Sequence, residues 1–95
     1  MKKDEILMAG ENKMPAIHPG EILREEFLIP NNLSRNALAQ ALNVTPARIN
    51  EIANEKRGIT ADTAIKLAEY FGTSAKFWMN LQVDFDLKIA RQKAV

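Results

Sequence analysis

The chain contains no cysteine and a single histidine, so neither a disulfide framework nor a thiolate or multi-histidine metal site is available to it. Its four glycines form no glycine-rich run of the kind that cradles phosphate, which leaves nucleotide chemistry without its usual loop. No stretch approaches the roughly 18 consecutive apolar residues that mark a membrane span. The opening Met1-Lys2-Lys3-Asp4-Glu5 is followed only by Ile6-Leu7-Met8-Ala9-Gly10 before Glu11. That apolar run is too brief for a secretory signal, and a cytoplasmic protein is expected. Nor is there an excess of charge of one sign: 13 Lys and Arg against 12 Asp and Glu leave a net +1. The balance persists locally, with three of each in residues 1–17, five of each in 18–60, and five basic against four acidic in 61–95. Any phosphate-binding surface must therefore come from a few placed cations rather than a broad basic field. His18, set just before Pro19, reads as a helix-start residue rather than a catalyst or ligand. No enzyme is expected, and no cofactor or bound metal.

What is present is helical signal. A chain of 95 residues is one domain, with a core too small to cover every apolar helix face, a situation that favours dimerisation. Residues 1–14 mix charges without a sustained apolar period and are expected to be a flexible tail to a domain over 15–95. Pro19 suits a first helical position, and Ile22, Leu23, Phe27 and Leu28 supply an apolar face before Pro30-Asn31-Asn32 ends the helix. Ser34 caps a second helix with Leu38, Ala39 and Leu42 inward, and Thr45-Pro46 opens a third with Ile49, Ile52 and Ala53 inward. After a polar connector at 54–58, Thr60 caps a fourth helix through Ala64, Leu67, Ala68 and Phe71, closed by Gly72. Ser74 starts a last helix of roughly fifteen to eighteen residues. No segment shows a period of two, so the expected class is all-α.

The spacing between the second and third helices carries the functional signal. A helix-turn-helix needs a small residue where the second helix crosses closely, and Ala39 provides it. It needs a residue tolerant of left-handed backbone at the turn, and Asn43 stands there, where glycine is commoner. Val44, Ile49 and Ile52 then supply the apolar side. Two packed helices of an ordinary bundle would satisfy the same pattern, but their outward face would be richer in Lys and Glu. Here Ala47, Arg48, Asn50, Glu51 and Asn54 face outward. Arg forks onto guanine, Asn onto adenine, Glu accepts from cytosine, and an Ala methyl meets that of thymine. Thr45 at the helix start suits a phosphate, and Arg35, Lys56 and Arg57 flank the helix as candidate backbone contacts.

Several motifs in order extend this reading to a family. His18-Pro19-Gly20-Glu21, the helix-turn-helix, Gly58-Ile59-Thr60, Thr63-Ala64, Leu67-Ala68, Phe71-Gly72-Thr73-Ser74 and Phe77-Trp78-Met79-Asn80-Leu81-Gln82 together resemble the HigA-type addiction-module antitoxins. These lie within the Xre, lambda-repressor-like helix-turn-helix family, and the resemblance covers residues 15–92. It implies a five-helix fold, a homodimer on palindromic operator DNA, repression of its own operon, and neutralisation of a HigB-type, RelE-like ribonuclease toxin. It also implies that Thr45, Ala47, Arg48, Asn50 and Glu51 lie on the recognition helix and that Arg35, Lys56 and Arg57 hold phosphates. Glu55 departs from the pattern, standing where the family often has glycine.

In the last helix Phe77, Leu81, Phe85 and Ile89 recur at four-residue steps, while Met79, Val83 and Leu87 add apolar residues on other faces. A domain of this size cannot bury them all, and Val83, Phe85 and Leu87 are expected at a two-fold interface. Such a dimer would set two recognition helices about 34 Å apart. A protein-interaction module, and a stand-alone Xre-type repressor without a toxin, remain as alternatives.

Overall fold

The computed structural model describes residues 15–94; the expected tail at 1–14 and Val95 lie outside the described residues. Five helices and no strand are present among them, as expected for the all-α class. Helix α1 runs as α-helix over Pro19–Ile22 and continues as π-helix over Leu23–Leu28; α2 is Arg35–Leu42, α3 Pro46–Ala53, α4 Ala61–Phe71 and α5 Ala75–Ala94. At 20 residues α5 is longer than expected. None of these helices is long and apolar enough to cross a membrane.

The start signals act as side-chain caps. Ser34, Thr45 and Thr60 each accept a hydrogen bond from the amide three residues on, and Ser74 does the same for Phe77. His18 caps α1 by an imidazole, its Nδ1 accepting from the Gly20 amide at 2.8 Å. Burial holds this imidazole below its ordinary pKa against the pull of Glu55 and Asp86, which keeps Nδ1 free to accept. The π-helical turn was not expected from the sequence. Leu23 and Leu28, five residues apart, are both buried, and the wider winding carries both to one side.

Helix ends show the same logic in reverse. Asn43 and Gly72 close α2 and α4 in the left-handed conformation, at φ 58° and 73°. Glu55 does so after α3 at φ 64°. There the Lys56 amide bonds the Glu51 carbonyl at 2.7 Å and the Glu55 amide bonds that of Ile52 at 2.9 Å, a Schellman closure that favours glycine at position 55. The Glu55 carboxylate is anchored instead by Arg24, at 3.3 Å from Nη2.

The core unites all five helices through Leu23, Leu38, Ala39, Ile49, Ile52, Ala64, Leu67 and Trp78, each wholly buried. Trp78 donates from Nε1 to Thr73 Oγ1 at 2.8 Å and meets Phe27 and Phe71, which roots α5 in the body. The start of α1 lies so close to α3 that a Cβ at Gly20 would collide with the Ile52 carbonyl oxygen.

Two stability outcomes follow. Gly20→Ala should cost about 3 kcal/mol, because the atom it meets is backbone within a helix and cannot rotate away. Urea unfolding with a cost under about 1 kcal/mol would contradict this packing. At position 55, Gly should be more stable than Ala by about 1 kcal/mol, since both lose the Arg24 pair but only Gly relieves the left-handed backbone. Equal midpoints for the two variants would contradict it.

Candidate nucleic-acid interface

Helix α3 presents the polar face expected of it. Ala39 of α2 is wholly buried beside the turn, and Ile49, Ile52 and Ala53 take the inner side of α3. That leaves Thr45, Ala47 and Asn54 exposed, with Arg48, Asn50 and Glu51 half-exposed between them. Lys56 and Arg57 are exposed on the connector that follows. All of the residues proposed from sequence therefore lie on or beside one helix, and none is withdrawn into the core.

The structure adds how they are paired. Arg35, in the first turn of α2, reaches across to α3, where its Nη1 donates to Asn54 Oδ1 at 2.7 Å and to Asn50 Oδ1 at 3.4 Å. Its charge thus lies near the C-terminal end of α3, where the helix dipole favours a cation. Arg57 Nε donates to Glu51 Oε1 at 2.7 Å, folding the connector back onto the helix. Arg48 lies 3.7 Å from Asp62 of α4, a loose and solvated pair. Thr45 Oγ1 is the acceptor for the Arg48 amide at 3.2 Å, so its hydroxyl proton remains to be offered outward.

Two neighbours were missed in the sequence. Asp62 and Lys66 lie one turn apart on α4, and Lys66 borders a shallow cleft with Asn43, Val44, Thr45 and Arg48 at the start of α3. Their four-residue spacing marks an exposed face of α4, but only the tertiary fold shows that this face adjoins α3. No group of His, Cys, Asp or Glu among the described residues is arranged to hold a metal ion.

The connector is also fixed from α5. Gln82 Oε1 accepts from the Ile59 amide at 2.7 Å while its Nε2 donates to Asp86 at 2.9 Å, and a Cβ at Gly58 would press on the same amide group. On α5 the three residues expected at a two-fold interface divide. Val83 and Leu87, one turn apart, are 47% and 46% exposed, whereas Phe85 is half-buried with its ring edge-to-face on His18 at 4.8 Å.

The family described as helix-turn-helix matches residues 23–78. Virulence-associated protein I of Dichelobacter nodosus is 64% identical over 84 residues, spanning 88% of this chain and 78% of that protein. Antitoxin HigA-1 of Vibrio cholerae is 35% identical over 83 residues, spanning 87% of this chain and 78% of that one. Among solved structures, the Pseudomonas aeruginosa antitoxin HigA with the higBA promoter is similar at a TM-score of 0.79 and 55% identity, over 80% of this chain and 83% of that chain. The chain belongs to the Xre-like helix-turn-helix family that includes the HigA antitoxins.

Proposed function

We propose that this chain is a sequence-specific DNA-binding antitoxin, acting without catalysis in the cytoplasm. It binds a palindromic operator as a homodimer, represses its own operon and neutralises a HigB-type, RelE-like ribonuclease toxin. The observation that carries the DNA reading is the exposed α3 face, held on a scaffold like that of an antitoxin solved with its promoter. Arg48, Asn50 and Glu51 are the base readers, while Thr45, Lys56 and Arg57 take phosphates. Ala47 and Asn54 border the readers on the same face. A toxin partner is favoured by the likeness to antitoxins; co-purification with the product of an adjacent gene for a small basic protein tests it.

Duplexes selected from a random library provide the probe for the DNA reading. Arg48→Ala and Asn50→Ala should each weaken binding by about 1–3 kcal/mol and relax preference at one position per half-site. Lys56→Ala should weaken all sequences alike and flatten the salt dependence by about one unit of slope. If both α3 variants bind as wild type, the helix-turn-helix is a scaffold and the DNA reading fails.

The dimer reading rests on Val83 and Leu87, apolar, exposed and one turn apart on α5, whereas Phe85 is turned to His18. Val83→Glu with Leu87→Glu should yield a monomer in sedimentation and about tenfold or greater loss of operator affinity. A wild-type monomer at micromolar concentration would contradict this interface.

A further inference from the structure

The apolar repeat of α5 outlasts the core. Leu81 packs against the core and Phe85 meets His18, yet Lys88, Ile89, Arg91 and Gln92 stay half-buried farther along the helix. On this stretch an open groove of 410 Å³ lies between α5 and the start of α1, with Ile17, Ile22, Leu81, Phe85 and Leu87 as its apolar lining. Ile17 is 53% and Leu87 46% exposed, so the two helices that build the groove do not close it. A contiguous apolar surface of this kind calls for an occupant. Of the two residues assigned to the two-fold face, Leu87 borders the groove and Val83 does not. A second copy packed on that face meets only the groove's edge.

We propose that the occupant is the chain's own Ile6-Leu7-Met8, docked in cis. The first argument is where the preceding chain arrives. Residues 1–14 lead through Pro15 and Ala16 into Ile17, which is itself a wall of the groove. Met8 stands nine residues before Ile17, a span of up to about 30 Å when extended, so the apolar run can reach any part of the lining. So short a tether holds the run near the groove at an effective concentration of order millimolar, well above that of a separate partner. The second argument is charge. Residues 4–11 carry Asp4, Glu5 and Glu11 and no base, bracketing the apolar run. The charged residues of the groove are Lys88 and Arg91 against a single Asp84. The apolar side chains match the lining while the acids beside them match its excess of cations. This docking goes beyond the DNA reading and does not depend on it.

Amide hydrogen exchange in the full-length chain, read at residues 88–92, tests the proposal. Ile6→Asp with Leu7→Asp alters two residues ahead of α1 and leaves the core composition intact. Exchange at 88–92 should rise by about tenfold or more, while the amides of α2, α3 and α4 keep their wild-type rates. Ile6→Leu with Leu7→Ile keeps the run apolar and should retain the protection. Ile17→Asp, in the groove wall, should cause the same loss, and combining it with the Asp pair should add nothing further. Wild-type exchange at 88–92 in the Asp pair, or losses that add in the combination, overturns the docking. Concentration identifies the occupant. The difference between wild type and the Asp pair should be the same at about 1 μM and about 100 μM. A difference confined to the higher concentration places the segment in the groove of a second copy and overturns docking in cis.

Discussion

Helix α3 is approached from two sides by backbone rather than by bulky side chains, and the exposed face depends on that closeness. On one side α2 supplies Ala39, wholly buried beside the turn at Asn43. On the other, α1 supplies Gly20, where a Cβ would collide with the Ile52 carbonyl oxygen. Small residues at both approaches let three helices meet within a core whose largest fully buried side chain, Trp78, comes from the fifth. The inner side of α3 is thereby completed by Ile49, Ile52 and Ala53, and every remaining position of the short helix is free to be polar.

That polar face is not left open to water at random. Arg35 is tied to Asn50 and Asn54, Arg57 to Glu51 and Arg48 loosely to Asp62. Exposed pairs of this type contribute about 0–1 kcal/mol each, so they orient side chains without resisting exchange for a nucleic-acid partner. The pairing also explains how a chain with a net charge of +1 can serve this role. Carboxylates beside the cations keep the long-range field weak, and affinity must come from contacts made at the right place.

Much of this was legible in the sequence because it is encoded locally. Ser34, Thr45, Thr60 and Ser74 announce helix starts by chemistry within three residues, and Asn43 and Gly72 announce ends by backbone tolerance. Glu55 was legible only as a departure, and its left-handed φ shows why glycine would suit that position. The π-helical winding of α1 was hidden, because it is imposed by where Leu23 and Leu28 must pack rather than by their own preference. Hidden too were the pairings, since Arg24 finds Glu55 31 positions away and Arg35 finds Asn54 19 positions away. Phe85 illustrates the same limit. Its four-residue repeat marks it as apolar surface to be covered, but only the fold shows His18 covering part of it.

The most consequential long-range link joins the two ends of the proposed function. Gln82 belongs to α5, between Leu81, packed against the core, and the exposed Val83, yet its Oε1 accepts from the Ile59 amide and so fixes the connector that carries Lys56 and Arg57. Gly58 leaves room for the Gln82 side-chain amide, and Asp86 holds its other end. One helix therefore sets the place of the candidate phosphate contacts and presents the apolar face on which a second copy would pack. Gln82 thus ties the connector to α5 directly, beside the packing of Trp78 in the core. In a two-fold assembly, the spacing of the recognition helices and the position of their flanking cations would then be adjusted by the same element, and register on successive major grooves would follow from the geometry of α5.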